Sequence, residues 1–373
     1  MNIIHVANYA VGSSVYNDLF LSLSKTYAVN EQLVLCAAKP GSTLNAADSP
    51  GVKYYFFSKV PRIIGPFILL KGIFKFLVFL RNSEVRSFAK KATFVHAHTL
   101  FSDGVVGFAF SCFFKKRLIV TVRNSDVFFY LRYFPFSKSC GRLILKNAES
   151  VIFPSIAMRE NFENIYGNEF CDKSSVITNG IDPVYRSRNV AFQDSVLRII
   201  FVGNDSPNKN LVGLIKALIL LAEKRPFSKV QFDVFGAVDP EFLDKTIKDA
   251  ELLSNMSVNT YGIVSKERLA AEYCGGGVLV VPSFHETFGL VFIEALSCGM
   301  PVVYTRGQGV DGLVGEEHGR RCDPSSSESI AEAILEASRI RLDECVSAYY
   351  RDRFSWAAIA REYCSKLLKG EKP

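Results

Sequence analysis

Short, almost uninterrupted apolar runs recur along this chain between longer segments with helical spacing, and this alternation restricts the fold more than any other feature. The runs lie at 2–9, 31–38, 52–57, 93–99, 117–123 and 150–155, and then at 196–204, 230–236, 259–264, 278–283 and 300–306. Strands that are apolar on both faces and alternate with helices form parallel sheets covered on both sides. Each series opens with a strand that ends in a glycine turn, at Gly12 and Gly203. The pattern therefore predicts an α/β protein with two doubly wound, Rossmann-like domains.

The length of 373 residues suits two such domains. A polar stretch at 183–195 indicates the boundary, so we expect an N-terminal domain at 1–187 and a C-terminal domain at 188–353.

Cysteine usage and hydropathy predict where the protein resides. Nine cysteines are scattered without a CxxC pair or a histidine at zinc spacing, which is typical of reduced thiols. The N-terminus, MNIIHVANYAVG, lacks the basic region of a signal peptide. The longest apolar stretch, 65–81, is interrupted by Lys71 and Lys75 and falls short of the about 20 residues that span a bilayer. We therefore expect a cytoplasmic protein.

The net charge of +7 is distributed unevenly. Residues 1–190 contain 23 Lys and Arg against 12 Asp and Glu, whereas residues 191–373 contain 21 against 25. With the aromatic-rich segment 54–81, this basic half suits an anionic membrane surface or a phosphorylated acceptor, which implies a peripheral position at the inner face of the cell membrane. A core-packing amphipathic helix over 65–90 with lysines in solvent explains the same residues, so both interpretations stay open. No nucleic-acid-binding motif accompanies the charge, and we expect no nucleic-acid partner.

The segment PSFHETFGLVFIEALSCGMP (282–301) concentrates chemistry-bearing residues where a strand ends and a helix begins. In parallel sheets, ligands bind at the carboxyl ends of the strands. The backbone amides at 288–290, at the positive end of the helix dipole, suit a diphosphate. Glu286 and Glu294 bracket this turn and are suited to bind sugar hydroxyls. A helix with an acidic N-terminal residue and a surface glutamate is the alternative interpretation.

The spacing E-x7-E within S-F-H-E-T-F-G-L-V-F-I-E-A-L-S-C-G-M-P-V-V resembles the donor-site signature of glycosyltransferase family 4. The family comprises retaining enzymes of GT-B fold, in which two Rossmann-like domains face each other across a cleft. The resemblance implies transfer of a hexose-type sugar from a nucleotide diphosphate-sugar to a glycan or lipid-linked acceptor, in cell-surface polysaccharide biosynthesis. It implies that Glu286 contacts the transferred sugar and that Glu294 binds the ribose. It also implies that four further residues bind the donor, namely Thr287, Phe288, Gly289 and Leu290. The amides of the last three hold the diphosphate.

The segment FVGNDSPNKNLVGLIKAL (201–218) resembles the strand, loop and helix that open the second domain in this family. There the loop usually carries an arginine and, five residues later, a lysine, whereas here Asn204 and Lys209 occupy those positions. The resemblance implies that Lys209 neutralises the leaving diphosphate, while Asn204 donates hydrogen bonds without a charge. A lysine in a solvated loop is the alternative.

Two segments of the first half, 95–107 and 118–128, resemble the family's loops at the cleft. Where the family commonly has a histidine that touches the donor sugar, this chain has Arg123, which suits a phosphate or a carboxylate on either substrate. The candidate residues on the acceptor side are His98, Asn124 and Asp126.

Two of these assignments have structural alternatives. His98 is equally compatible with a buried histidine satisfied by the backbone. Gly12 and Ser13 should approach the donor phosphate or the acceptor, and a plain tight turn is the alternative.

Two further segments resemble structural parts of the family. VITNGID (176–182) resembles its hinge turn, which implies that Gly180 is needed for backbone geometry and that Asp182 is a turn or cap residue. The end of the chain, about 354–373, resembles the terminal helix that packs back on the first domain.

The chain has no D-x-D metal motif beside a donor loop, so we expect neither a required metal nor a cofactor. Lys209, the helix amides and Arg123 are available to meet the charge of the leaving diphosphate. Two other functions stay open: a non-catalytic nucleotide-sugar-binding protein and an NAD-dependent oxidoreductase. Against the latter, neither glycine turn contains G-x-G-x-x-G followed by an acidic residue about 20 positions later.

Overall fold

The structure is a computed structural model that describes residues 1–37, 50–57, 67–134, 136–186, 196–224, 227–251 and 255–368. The chain divides into two compact units. The first unit contains Met1–Pro154, Met158–Gly180 and the chain from Trp356 onward, and the second contains Ser155–Ala157 and Ile181–Ser355. The crossing at 180/181 precedes the expected boundary at 187/188, and the segment 187–195 lies outside the described residues.

The strands of both units lie close to the predicted apolar runs. In the first unit they are β1 (Asn2–Val6), β2 (Glu31–Ala37), β3 (Val52–Phe57), β4 (Phe94–Ala97), β5 (Arg117–Thr121), β6 (Ala148–Phe153) and β7 (Ser174–Val176). In the second they are β8 (Val196–Val202), β9 (Lys229–Phe235), β10 (Met256–Gly262), β11 (Val278–Val281), β12 (Val302–Thr305) and β13 (Gly319–Cys322). Every predicted run overlaps a strand, whereas β7 and β13 were not predicted.

Helices connect the strands. They are α1 (Ser14–Ser24), α2 (Ile68–Arg81), α3 (Ser83–Lys91), α4 (Gly104–Phe114), α5 (Leu131–Tyr133), α6 (Ser137–Asn147), α7 (Ile156–Tyr166), α8 (Leu211–Lys224), α9 (Pro240–Glu251), α10 (Lys266–Cys274), α11 (Leu290–Ser297), α12 (Ser327–Ala337), α13 (Glu344–Arg353) and α14 (Trp356–Leu368).

Both sheets are parallel and doubly wound. The strand order is β3-β2-β1-β4-β5-β6-β7 in the first unit and β10-β9-β8-β11-β12-β13 in the second. Neighbouring residues of one strand enter different cores: Ile3 belongs to the cluster on one face of the first sheet, and Ile4 to the cluster on the other. Burial on both faces explains the continuous apolar runs. The prediction of two Rossmann-like, doubly wound parallel-sheet domains is confirmed.

In each sheet, the strand order reverses next to the strand that comes first along the chain, β1 in the first unit and β8 in the second. The loops after β1 and β4 therefore run in opposite directions, as do those after β8 and β11. Such a switch point leaves a crevice at the carboxyl ends of the strands. This geometry brings the loops at 7–13 and 98–103 together in the first unit, and those at 203–210 and 282–289 together in the second.

The helix expected near 354–373 is α14, which belongs to the first unit. Trp356, Ile359 and Tyr363 pack in the same core cluster as residues of β1 and α1. Gly180 is required for this packing, because a Cβ there would lie 2.7 Å from Cγ of Trp356. Its φ does not lie in the left-handed region, so the expectation that Gly180 serves the backbone geometry of a turn is wrong.

In helix α2, the expectation that the lysines of segment 65–90 lie in solvent is wrong for one residue. Lys75, which should lie in solvent if the helix packs on the core, is buried and donates a hydrogen bond to Oδ1 of Asn8 over 2.8 Å. Burial lowers the pKa of Lys75 to about 8. The opposite face of α2 exposes about half of Leu69, Leu70 and Leu77. Within the described ranges, no helix is both long and apolar enough to cross a membrane.

Candidate functional site

In the second unit, Asn208 joins the loop after β8 to the loop after β11. Its Nδ2 donates to the carbonyl of His285 over 2.9 Å, and its Oδ1 accepts from the amide of the same residue over 3.0 Å. The carbonyl of Asn208 accepts from the amide of Phe284 over 2.9 Å. These bonds hold the two loops in one fixed arrangement. Asn208 was not predicted from sequence, because one asparagine in an asparagine-rich loop gives no distinctive signal.

Lys209 and Glu286, both predicted from sequence, meet in an ion pair. Nζ of Lys209 lies 2.7 Å from Oε2 of Glu286, and both side chains are largely but not fully buried. The backbone of Glu286 is held as well: its amide donates to Oε1 of Gln308 over 3.1 Å, and its carbonyl accepts from the amide of Gly309 over 3.1 Å. Lys209 is therefore not a lysine of a solvated loop. The pair places a cation and an anion side by side at the sheet edge.

Two glycines form the floor beneath Glu286. Gly289, which precedes α11, has a φ of 79°, and Gly309 has a φ of 53°. A Cβ on Gly289 would lie 3.2 Å from Cγ of Glu286, and a Cβ on Gly309 would lie 2.9 Å from it. The amides of Leu290 and Val291 lie at the N-terminus of α11, where amides have no carbonyl partner inside the helix and are available to an anion. Phe288 is buried in the core, so only its backbone is available to a ligand.

Glu294 lies in the second turn of α11, as predicted, and its surroundings show that it is not a surface glutamate. Burial raises the pKa of its carboxyl group to about 7, despite the nearby charge of Lys266 and a hydrogen bond from the hydroxyl of Tyr185. Lys266 itself pairs with Asp182 over 2.8 Å. Asp182 also accepts from the amide of Val184 over 3.1 Å, which confirms it as a turn residue. Tyr185 was not predicted from sequence, because the residue that it contacts, Glu294, lies more than 100 residues away along the chain.

Asn204 and Thr287 lie on the same two loops. Asn204 is exposed, and its Oδ1 accepts from the amide and the hydroxyl of Ser206 over 3.3 and 2.7 Å. The amide of Thr287 donates to Oε1 of Glu286 over 3.2 Å, so Thr287 helps to fix the carboxylate.

In the first unit, Asp126 ties together the loops after β4 and β5. It lies in a π-helical turn, and its carboxylate accepts from the amides of Leu100, Phe101 and Arg123 over 2.9, 3.2 and 2.9 Å. Burial raises the pKa of Asp126 to about 7. The expectation that Asp126 contacts an acceptor is wrong, because the buried carboxylate is occupied by three backbone amides. It is a positioning residue.

His98 is fully buried beside two other histidines. Its Nε2 lies 3.0 Å from Nδ1 of His5, which follows from the parallel pairing of β1 with β4. Burial lowers the pKa of His98 well below its ordinary value. The interpretation of His98 as a histidine satisfied by the backbone is wrong, since its partner is another imidazole. Arg123 lies nearby, with its guanidinium 5.5 Å from the ring centre of Tyr16.

Nitrogen atoms of His5, His96 and His98 approach within 4.8 Å of one another, which is the spacing of a metal site. However, five of the six ring nitrogens already have hydrogen-bond partners, namely Gln32, Thr121, Tyr363 and the neighbouring imidazole within the cluster. A metal would have to displace these partners, so we assign no metal to the cluster.

Three further predicted residues border this region. Gly12 is exposed with a φ of 78°, and Ser13 precedes the first turn of α1 without capping it through its side chain. Asn124 is half-buried next to Arg123. No ligand contact is assigned to these three residues, and their roles stay predictions.

Two family models match the chain. The model described as glycosyl transferases group 1 matches residues 187–353, and the model described as Glycosyltransferase Family 4 matches residues 31–185. The two matches meet near the end of the first unit and cover most of the sequence.

Curated relatives match over part of their length. A D-inositol 3-phosphate glycosyltransferase of Pseudarthrobacter chlorophenolicus is 32% identical over 42% of this chain and 38% of that protein. An O-antigen chain mannosyltransferase B of Escherichia coli is 30% identical over 42% of this chain and 39% of that protein. The matches thus span about two fifths of the relatives' length.

Among solved structures, the Anabaena protein HepE in complex with UDP aligns with a TM-score of 0.74. The alignment covers 98% of this chain and 99% of that one at 19% identity, which shows a shared GT-B fold.

Proposed function

This chain belongs to the glycosyltransferases of group 1 and family 4, and we propose that it transfers a hexose-type sugar from a nucleotide diphosphate-sugar to a hydroxyl group of a glycan or lipid-linked acceptor. We further propose that transfer retains the configuration of the sugar and serves the synthesis of a cell-surface polysaccharide. The observation that carries the proposal is the pairing of Lys209 with Glu286 beside the first turn of α11. That arrangement offers a cation for a phosphate next to a carboxylate for sugar hydroxyls.

In the proposed donor complex, the diphosphate lies at the first amides of α11, where the helix dipole and Lys209 stabilise its charge. Glu286 accepts hydrogen bonds from the transferred sugar, and Glu294 accepts them from the ribose. The side-chain amide of Asn204, on the loop after β8, adds an uncharged hydrogen-bond donor. The presence of UDP in the HepE structure supports a nucleotide donor for a chain of this fold.

During transfer, negative charge grows on the leaving diphosphate. Lys209 and the helix amides are fixed before the reaction, so they stabilise that charge without reorganisation. We propose that the leaving phosphate also takes the proton of the acceptor hydroxyl and that no metal ion is required. The acceptor is proposed to bind in the first unit, near Arg123, His98 and Asn124.

The proposal is tested first by nucleotide binding. A thermal-shift screen with UDP, GDP, ADP, CMP, their sugar conjugates and NAD should show stabilisation by one nucleotide diphosphate, of about 2.7 kcal/mol at 100 times its dissociation constant. Lys209→Met should abolish most of the shift, whereas Lys216→Met, at an exposed position of α8, should not. Stabilisation by NAD alone, or by none of these ligands, would contradict the proposal.

A second measurement separates an enzyme from a binding protein. In the absence of the acceptor, slow transfer of the sugar to water should release the nucleotide diphosphate from its sugar conjugate with the wild-type protein. This release should fall by at least about 100-fold in Glu286→Gln, because a charge-assisted hydrogen bond contributes about 1.5–3 kcal/mol and the substitution also disrupts the pair with Lys209. Tight binding without release in the wild type would favour the non-catalytic alternative.

We also propose that the first unit docks on an anionic membrane surface through α2. Leu69, Leu70, Ile73 and Leu77 form an apolar face that is about half exposed. Apart from the buried Lys75, helices α2 and α3 together carry five Lys and Arg against the single acid Glu84. An apolar stripe flanked by cations suits the boundary between lipid headgroups and acyl chains.

Liposome flotation tests this docking. The protein should float with vesicles that contain anionic lipid at low salt and should bind less to neutral vesicles. Leu70→Gln combined with Leu77→Gln should abolish flotation, whereas Ile263→Gln, at a more exposed aliphatic position of the second unit, should leave it unchanged. Equal binding by both variants would refute the proposed surface.

A further inference from the structure

A small cavity lies in the first unit where β4 and β5 end. Its volume is about 20 Å³, and its lining includes His96, His98, Thr121 and Arg123 on the polar side. Ile152 belongs to its apolar side. A polar cavity above about 10–15 Å³ has room for one water molecule or one hydroxyl group.

A chain of hydrogen bonds fixes which nitrogen of His98 carries its proton. Nε2 of Gln32 donates to the carbonyl of Phe20 over 2.9 Å, so Oε1 of Gln32 faces His5 and can only accept. Nε2 of His5, 3.1 Å from that oxygen, must therefore carry a proton.

The protonation of His5 in turn determines which nitrogen of His98 carries a proton. Burial lowers the pKa of His5 to about 3, so its ring is neutral and its Nδ1 has a lone pair. Nε2 of His98, 3.0 Å away, must donate to that lone pair. Because His98 is neutral too, its remaining nitrogen, Nδ1, is an acceptor.

Two polar atoms of the residues that line the cavity have no hydrogen-bond partner within the described part of the chain. They are Nδ1 of His98 and Nε of Arg123, and both are buried. Nδ1 of His98 is an acceptor because the ring is neutral and carries its proton on Nε2, and Nε of Arg123 is a donor because a guanidinium only donates. A buried polar atom without a partner costs about 1–3 kcal/mol, so both atoms indicate a missing partner.

We propose that this cavity is a built site for a single hydroxyl group, which accepts a hydrogen bond from Nε of Arg123 and donates one to Nδ1 of His98. One water molecule fills the site in the free protein, and a hydroxyl group of the sugar substrate replaces it in the complex. The second step rests on the proposed glycosyl transfer. A carboxylate oxygen does not fit, because it has no proton to give to His98, and the oxygen of a fully ionised phosphodiester or inner phosphate does not fit for the same reason. Gln32 and His5 act as positioning residues that hold His98 in the accepting form.

The form of His98 is measured by ¹⁵N NMR of the full-length wild-type protein with labelled histidine, between pH 6 and 8. We expect His98 to carry its proton on Nε2 only, with a hydrogen-bond coupling to Nδ1 of His5. A proton on Nδ1, or on both nitrogens, would overturn the proposal. This result needs no substrate, so it stands apart from the nucleotide screen that tests the proposed function.

Two variants separate the relay from a general effect on the core. Gln32→Leu removes the acceptor of His5, so the proton of His98 should distribute over both ring nitrogens. Ser111→Ala removes a hydrogen bond elsewhere in the same unit, from the hydroxyl of Ser111 to the carbonyl of Lys116, and should leave the His98 spectrum unchanged. An unchanged His98 spectrum in Gln32→Leu would show that the relay does not set its form.

The ligand class is tested in two ways. A high-resolution crystal structure of the free protein should contain one water molecule within hydrogen-bond distance of both Nε of Arg123 and Nδ1 of His98, and an empty cavity would contradict the proposal. Sulfate at millimolar concentration, an oxyanion without a proton at neutral pH, should leave the ¹⁵N signals of both residues in place. A sulfate-dependent shift of both signals would show that the site takes an oxyanion and would overturn the assignment.

Discussion

At the scale of single residues, Glu294 links the proposed ribose site to pH. Its pKa of about 7 in the free protein means that the carboxyl group is about half protonated at neutral pH. Ribose hydroxyls donate to the ionised form, so binding lowers the pKa and releases a proton. As the pH increases toward 7, nucleotide affinity should therefore rise by up to about tenfold per pH unit. Above pH 7 the affinity should level off, because the carboxyl group is already ionised.

Calorimetry at pH 6, 7 and 8, in two buffers with different ionisation enthalpies, measures both the affinity and the released proton. Glu294→Gln should weaken nucleotide binding by about 10- to 100-fold, which corresponds to about 1.5–3 kcal/mol, and should remove its pH dependence. Glu332→Gln, an exposed position of α12, serves as control. If the pH dependence persisted in Glu294→Gln, another group would have to be its source.

The glycines beneath Glu286 allow a matched comparison within one loop. Gly307 and Gly309 both have left-handed φ values, of 69° and 53°, so alanine at either position should cost about 1–3 kcal/mol of stability. A Cβ at 307 meets nothing within 4 Å, whereas a Cβ at 309 lies 2.9 Å from Cγ of Glu286. We expect Gly309→Ala to lower the rate of transfer at least tenfold and Gly307→Ala to lower only the melting temperature.

Thermal melts and turnover at a temperature where both variants are folded check this expectation. Equal rates for the two variants would show that the position of Glu286 tolerates the displacement.

Sequence identified the residues of the second unit better than those of the first. Glu286 and Glu294 belong to one motif and Lys209 to one loop in register with the family pattern, so the resemblance alone was enough to propose their roles. Asp126 and His98 depend on partners from other strands, such as His5 on β1. Spacing gives no information on those partners, and a buried acid that binds backbone amides has the same sequence signature as one that binds a ligand.

At the scale of elements, the carboxylate of Asp126 connects the ends of β4 and β5. Asp126→Ala would leave the amides of Leu100, Phe101 and Arg123 without partners in a buried region. Each unsatisfied amide costs about 1–3 kcal/mol, so we expect the variant to lose about 3 kcal/mol or more of unfolding free energy. Urea unfolding measures this loss, with Asn124→Ala in the same loop as control. A loss below about 1 kcal/mol would show that water replaces the clamp.

The elements that sequence failed to predict are short or lie at a sheet edge. β7 has three residues and β13 has four, and in β13 two of the four are arginines. Such strands lack the apolar run that identifies a central strand, because each forms the end of its sheet and pairs on one side only. Helix α2 was ambiguous for a different reason: its apolar residues surround the helix, and only the structure shows which of them contact α4.

At the scale of the whole molecule, the chain leaves the first unit at 180/181 and returns to it at 355/356. The alternation of strands and helices predicted two domains, but it carries no information on this return. The helix that returns could be assigned only by resemblance to a family. The physical reason appears in the packing, where Trp356 fills the space left by the missing side chain of Gly180.

This return predicts that the two units respond differently when α14 is removed. The helix buries Trp356, Ile359, Ala360, Tyr363, Cys364 and Leu367 in the core of the first unit. Burial of one large apolar side chain contributes about 1.5–3 kcal/mol, so the sum is comparable to the about 5–15 kcal/mol by which a folded protein is stable. A chain that ends at Ser355 should therefore lose the folded first unit and keep the second.

Hydrogen exchange resolves the two units separately. In the truncated chain, amides of β1 and β4 should lose their protection, while those of β8 and β11 keep it and the nucleotide still protects α11. Tyr363→Ala should produce a milder version of the same pattern, and Arg361→Ala, on the exposed face of the same helix, should not. Equal loss of protection in β1 and β8 would mean that the second unit depends on the first for its stability. Unchanged protection in β1 would mean that the sheet of the first unit is stable without the helix that covers it.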